Sequence, residues 1–156
     1  MFEIQSDSVQ KTIRLGRRLA ENLQGGEILA LTGELGAGKT VFVKGIAEGL
    51  GIREVVTSPT FVIVKTYQGR LPLHHMDFYR LNNPQDLETI GFEDYTVGGS
   101  VLAIEWAEKF LNELPHPVIH VSFLYGDGDI RTIRFNAQED AAWAEYLKSL
   151  EAGTPG

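Results

Sequence analysis

The sequence predicts a three-layer α/β fold with a mixed, partly parallel sheet, and three observations predict it. Two short runs, Glu27–Thr32 (EILALT) and Val101–Glu105 (VLAIE), are apolar almost throughout, as strands buried on both faces are. Segments with helical apolar spacing, or with helix start and stop signals, separate these runs, which is the alternation of a layered α/β domain. Two further strand pairs are joined by turn-rich links, Gln68-Gly69-Arg70 and Gly126-Asp127-Gly128-Asp129. Two hairpins therefore enter the sheet, and it is not wholly parallel.

The elements follow in order. Phe2–Gln5 is a short strand, and Ser6 is placed to cap the helix after it, with Asp7 in the first turn. Val9, Ile13, Gly16, Ala20 and Leu23 recur at steps of four and three, one apolar helix face that ends at Gly25-Gly26. Strand 27–32 leads through a glycine-rich loop into a helix over Lys39–Leu50, stopped by Gly51. Val62–Tyr67 and Leu71–Asp77 form the first hairpin. Asn83-Pro84 opens a short acidic helix that runs to Ile90. After VLAIE, Trp106–Leu114 is helical in composition and is halted by Pro115 and Pro117. Val118–Leu124 and Ile130–Phe135 make the second hairpin, and Ala137–Leu150 the closing helix. The 156 residues fit one domain over residues 1–150, with 151–156 expected as a disordered tail.

Composition narrows the function classes. Hydrophobic residues make up 43% and charged residues 22%, the balance of an ordinary globular chain. With 14 basic and 21 acidic residues the net charge is −7, so the surface repels polyanions and unaided tRNA or DNA binding is not expected. The absence of cysteine removes disulfides, thiolate catalysis and cysteine-held zinc or iron–sulfur sites. The N-terminus MFEIQSDSVQ has neither a charged lead nor an apolar run, and no stretch nears the roughly 20 apolar residues of a spanning helix. A soluble, cytoplasmic protein is the expectation.

One motif carries most of the chemistry. GELGAGKT at 33–40 fits GxxxxGKS/T in full. Gly33, Gly36 and Gly38 allow the backbone to curl so that successive N–H groups face one anion. The helix beginning at Lys39 then presents its positive end to the same place. Residues Gly33, Glu34, Leu35, Gly36, Ala37, Gly38, Lys39, Thr40 and Val41 are thus expected to surround the phosphates of a nucleoside triphosphate, ATP with Mg2+. Lys39 would reach the β- and γ-phosphates, and the Thr40 hydroxyl would take Mg2+. A buried strand before the motif and a helix after it give a P-loop NTPase-like sandwich.

Such a site also needs a carboxylate at a neighbouring strand end. Glu105 closes VLAIE, four apolar residues and then an acid, and is preferred for the metal. Asp77 closes the more polar LPLHHMD and would orient the attacking water or hold Mg2+ through a water. Either acid also suits a solvated or capping role. His74 and His75 read as structural or hydrogen-bonding, because magnesium prefers oxygen. Ser58 and Thr60, in TSPTF, stand where nucleotide switches carry a hydroxyl that senses the γ-phosphate. An ordinary turn held by Pro59 is the alternative. Trp106, beside the candidate metal acid, is either core or a partner surface.

Taken in one order, GELGAGKT, SPTF, HHMDFYR and AIEWAE resemble the bacterial TsaE (YjeE) family, small P-loop ATPases of tRNA threonylcarbamoyladenosine synthesis. The motifs span about residues 27–108. GELGAGKT alone is generic, whereas SPTF with HxDxYR and IEW is far more specific. The resemblance implies that Gly36–Thr40 hold phosphates, that Thr40 and Glu105 hold magnesium, and that Ser58 and Thr60 form a switch. It further implies functional roles for Asp77, Tyr79, Arg80 and Trp106, and places the segment near Ser8 and the turn near Asp127 close to the base. The implied partners are TsaD and TsaB, with ATP hydrolysis resetting that pair and tRNA met only through the complex.

Two other readings share the loop. A small-molecule kinase would carry an arginine-rich lid, whereas Arg53, Arg70, Arg80, Arg131 and Arg134 are scattered. A nucleotide-gated binding module would need the bound state more than its turnover. No Asn-Lys-x-Asp guanine motif is present.

Overall fold

The computed structural model describes residues 1–115, 117–137 and 139–150, so the tail expected at 151–156 lies outside the described residues. The chain begins with β1 (Phe2–Ser6), α1 (Val9–Ala20), β2 (Ile28–Gly33) and α2 (Lys39–Gly49). A hairpin of β3 (Val64–Tyr67) and β4 (Leu73–Asp77) follows, then the short helices α3 (Gln85–Thr89) and α4 (Phe92–Thr96). Next come β5 (Val101–Glu105) and two 3₁₀ turns, Ala107–Lys109 and Leu111–Glu113. The hairpin of β6 (Ile119–Tyr125) and β7 (Arg131–Asn136) precedes α5 (Ala141–Lys148).

The strands form one seven-stranded sheet in the order β1-β7-β6-β2-β5-β4-β3. Its centre, β6-β2-β5-β4, is parallel. Both hairpins add antiparallel strands, β3 at one edge and β7 with β1 at the other. The side-chain period of two makes the layers. Leu29 and Leu31 of β2 face a core shared with Leu15, Leu19, Phe42 and Ile46 of α1 and α2. Ile28 and Ala30 face a second core containing Leu87, Phe92, Phe110 and Leu114. A sheet with both faces covered needs apolar residues on both, which is why EILALT and VLAIE barely alternate.

α1 packs against α2 through glycines. A Cβ on Gly45 would lie 2.1 Å from the Ile13 carbonyl oxygen, and one on Gly16 2.4 Å from that of Phe42. Gly45→Ala is accordingly expected to destabilise the fold by about 1–3 kcal/mol. A thermal midpoint equal to that of the parent chain would show that the helices are not so close.

Several local expectations are corrected. The cap of α1 is Ser8, not Ser6: Ser8 is extended, and its hydroxyl accepts from the Lys11 amide at 3.1 Å. Ser6 ends β1, buried, and its hydroxyl meets that of Thr12 at 2.7 Å, while Asp7 lies outside the helix. The buried face of α1 is Thr12, Leu15, Gly16, Leu19 and Ala20, and Val9 is exposed. The close approach to α2 decides this rotation, not the apolar count. Residues 62–63 do not join β3, because the Val62 and Ile63 amides both bond back to the Pro59 carbonyl at 3.1 and 2.6 Å. Trp106–Leu114 is not one helix: Trp106 takes a left-handed φ of 58°, and the 3₁₀ turns let Phe110 and Leu114 reach the second core. Helix α4 was not expected; Gly91, at φ 72°, separates it from α3. α5 begins at Ala141, where the Asp140 carboxylate accepts from the Trp143 amide at 3.1 Å.

Candidate functional site

β4 and β5 run parallel and in register, with Asp77 opposite Glu105. On the face toward α2 each strand passes from apolar to acidic: Leu73, His75, Asp77 on one and Val101, Ala103, Glu105 on the other. The two carboxylates thus leave the sheet together at the carboxyl ends of its parallel strands, where open α/β sheets form their crevices. Asp77 is 2% and Glu105 4% exposed.

Between β2 and α2 the loop turns on Gly33, Gly36 and Gly38, with φ of 137°, 77° and 113°. A side chain is disfavoured at all three, and a Cβ on Gly33 would also meet the Phe123 carbonyl oxygen at 2.5 Å. Gly38 caps α2 without a side-chain hydrogen bond, so first-turn amides remain for an outside acceptor. Leu35, Gly36, Gly38, Lys39, Thr40 and Val41 join Ser58, Thr60, Asp77, Glu105 and Trp106 around one cavity of about 250 Å³. Glu34 lies on the outer, exposed part of the loop, where its carbonyl accepts from the Ala37 amide, and Ala37 itself is buried.

Lys39 is 4% exposed. Its ammonium donates to the Gly33 carbonyl and sits 3.7 Å from the centre of the Trp106 ring. Burial pushes its pKa below the ordinary lysine value, and the carboxylates of Glu108, Glu105 and Asp77 act against that shift. The Thr40 hydroxyl lies 3.0 and 2.9 Å from the two Glu105 oxygens. Glu105 Oε2, the oxygen nearer Thr40, also meets His75 Nε2 at 2.5 Å. Asp77 accepts the Thr60 hydroxyl at 2.8 Å on one oxygen and the Tyr79 amide at 2.8 Å on the other. The hydroxyls of Ser58 and Thr60 are 2.7 Å apart.

Tyr79 and Arg80 do not line the cavity. Tyr79 is half exposed, with its ring 5.0 Å from that of Trp106. Arg80 donates to the Phe61 carbonyl at 3.1 Å and so anchors the loop that carries Ser58 and Thr60. His74 bonds the Thr66 hydroxyl at 2.8 Å and stacks edge-on with Tyr95. Ser8 lines a second cavity, of about 320 Å³, that also borders Gly36, Gly38 and Val41. There Asp129 and Arg131 stand in place of the expected Asp127, whose carbonyl closes the turn by accepting from the Ile130 amide at 3.0 Å.

Sequence reasoning missed Glu108 and Lys109. The Glu108 carboxylate accepts from the Gly33 amide at 3.1 Å, and Lys109 bonds the carbonyls of Tyr79 and Leu81. Their spacing from Glu105 becomes informative only once Trp106 starts a tight turn. Among the described residues no three His, Cys, Asp or Glu side chains form a metal cage of their own. Mg2+ typically takes one or two carboxylates plus substrate phosphates, so Thr40, Glu105 and Asp77, all oxygen donors in one cavity, fit it. A larger cavity of about 740 Å³ borders Gly26, Val118 and Trp143, away from the loop. Its acids are already partnered: Glu27 accepts from the Gln24 and Gly25 amides, Asp140 caps α5, and Glu145 pairs with Lys148 at 3.4 Å.

Residues 6–133 match the family described as "Threonylcarbamoyl adenosine biosynthesis protein TsaE". The chain belongs to the TsaE family. Its members are named for tRNA threonylcarbamoyladenosine biosynthesis, and two relatives under that name show the extent of the likeness. The protein of Treponema pallidum is 45% identical over 125 residues, 80% of this chain and 93% of the relative. That of Bacillus subtilis is 41% identical over 129 residues, 82% of this chain and 80% of the relative. The crystal structure of Bacillus subtilis YdiB superposes with a TM-score of 0.81 at 33% identity, covering 97% of this chain and 94% of that one. This TsaE-family chain therefore shares its sequence with these relatives over about four fifths of its length and its fold with YdiB through nearly all of it.

Proposed function

We propose that the protein is a Mg2+-dependent ATPase acting in the formation of threonylcarbamoyladenosine in tRNA, where it regulates or resets a TsaD–TsaB pair in the cytoplasm. The observation that carries this reading is the convergence of Lys39, Thr40 and Glu105 at the mouth of the glycine loop. Phosphate oxygens would replace the Gly33 carbonyl as the acceptor for Lys39, with the free amides of the loop and of α2 completing the cradle. Thr40 and Glu105 would hold Mg2+, which supplies charge neutralisation at the phosphates. Asp77, fixed by Thr60 and Tyr79, would accept a hydrogen bond from the water that attacks the γ-phosphorus. The bond from that phosphorus to the bridging oxygen breaks, leaving ADP and phosphate.

Thr60 bonds both Ser58 and Asp77, so a γ-phosphate that drew it away would move the 58–61 loop. Trp106 lies between Lys39 and Tyr79 and joins the phosphate site to an exposed aromatic surface. The direct test measures phosphate release with and without TsaD–TsaB. Slow release that accelerates with the pair is expected, and an unchanged rate at saturating partner would overturn the activation. Loss of threonylcarbamoyladenosine from tRNA in depleted cells tests the pathway.

Trp106→Ala should abolish the stimulation while nucleotide affinity stays within about thirtyfold, the worth of one desolvated cation–π contact of about 2 kcal/mol. Thermal unfolding provides the control: a variant that fails to fold would show Trp106 to be core.

A further inference from the structure

We propose that His75 is a positioning residue for Glu105, holding the carboxylate in the orientation that receives Mg2+. This rests on the reading of the site as a Mg-ATP site. His75 is fully buried, and its Nε2 lies 2.5 Å from Glu105 Oε2. The ring does not border the cavity that Lys39, Thr40, Asp77 and Glu105 share. It touches the metal acid from the sheet side and has no route to nucleotide, so it acts only through Glu105.

The sheet register makes this contact possible. His75 stands opposite Ala103, whose methyl leaves room for the imidazole, and Glu105 is the next residue on that face of β5. Diagonal neighbours on paired strands lie within reach of long side chains. Asp77, opposite Glu105, brings a second carboxylate to the same strand end, and like charges directly opposite repel. A carboxylate held by the Thr40 hydroxyl alone would lose its restraint whenever that hydroxyl turned to a cation. The Nε2–H donor keeps Oε2 fixed without occupying the cavity. Nδ1 has no partner among the described residues, so Glu105 is the ring's one hydrogen-bonded neighbour there. Outer partners that orient a metal ligand typically change metal affinity by about 10–100-fold when removed.

The test titrates MgCl2 into the full chain with a non-hydrolysed ATP analogue and reads binding by calorimetry, with a parallel series in EDTA. His75→Leu should raise the Mg2+ concentration for half-maximal binding about tenfold or more. Affinity in EDTA should not change. His75→Gln carries an amide nitrogen near the place of Nε2 and should restore the requirement, whereas His75→Asn is one carbon short and should not. A parental Mg2+ requirement in His75→Leu overturns the proposal, as does an equal loss of affinity in EDTA. Should His75→Leu fail to fold, the Gln and Asn variants decide, and equal behaviour of the two overturns it. If the parent chain itself binds the analogue with no Mg2+ dependence, the Mg-ATP reading has failed instead.

Discussion

Lys39→Ala is expected to weaken Mg-ATP binding about 100-fold, as measured by calorimetry at fixed MgCl2. A hydrogen bond to a charged group contributes about 1.5–3 kcal/mol, roughly one to two factors of ten, and a lysine between two phosphates makes more than one. The resting site is already built around this cation. Burial disfavours its charge, and the Gly33 carbonyl, the face of Trp106 and three carboxylates offset that cost. Phosphate can therefore take Lys39 from the Gly33 carbonyl without the lysine leaving water at that moment, since it is buried beforehand. Preorganisation of this kind concentrates binding energy in one side chain. Parental affinity in Lys39→Ala would remove the phosphate-loop assignment.

Glu105→Gln should lower the rate of ATP hydrolysis by about 10²–10³-fold, the scale seen when one electrostatic group of an active site is removed. The amide keeps the shape of the side chain and, in the place of Oε2, an oxygen that both His75 Nε2 and the Thr40 hydroxyl can still reach, so the fold should persist. What goes is the negative charge beside Thr40. The parallel Asp77→Asn variant separates the two acids. If Glu105→Gln still hydrolyses ATP with ordinary Mg2+ dependence while Asp77→Asn does not, the metal acid is Asp77. If Glu105→Gln loses hydrolysis yet supports normal threonylcarbamoyladenosine levels in cells, the bound state is the working one, and the nucleotide-gated module is the better description.

Local chemistry was legible in the sequence wherever it is contiguous. GELGAGKT contains its own loop geometry, because each glycine sits where φ must be positive and the helix starts at the lysine. VLAIE could be placed on a central strand ending in an acid, because a strand buried on both faces has few other compositions. Less was legible between residues 106 and 114. Nothing local reports the left-handed turn at Trp106, since it is imposed by seating Phe110 and Leu114 in the second core. The buried face of α1 departs from its apolar spacing for a similar reason: the glycine contacts with α2 outweigh an apolar residue at Val9.

By itself the sequence determined the layered α/β class, the glycine loop between β2 and α2 and the order of motifs that marks the family. Each depends on residues adjacent in the chain or on a composition that burial imposes. Only the tertiary structure decided what those motifs touch. The parallel pairing of β4 with β5 brings Asp77 beside Glu105, and the pairing of β2 with β5 brings Glu105 to Thr40. It also turned His75 from one of two adjacent histidines into the neighbour of the candidate metal acid, while His74 went to Thr66 and Tyr95. Strand register is the physical reason. A shift of one residue exchanges the faces of a strand, so the identity of the buried histidine depends on a pairing thirty residues away.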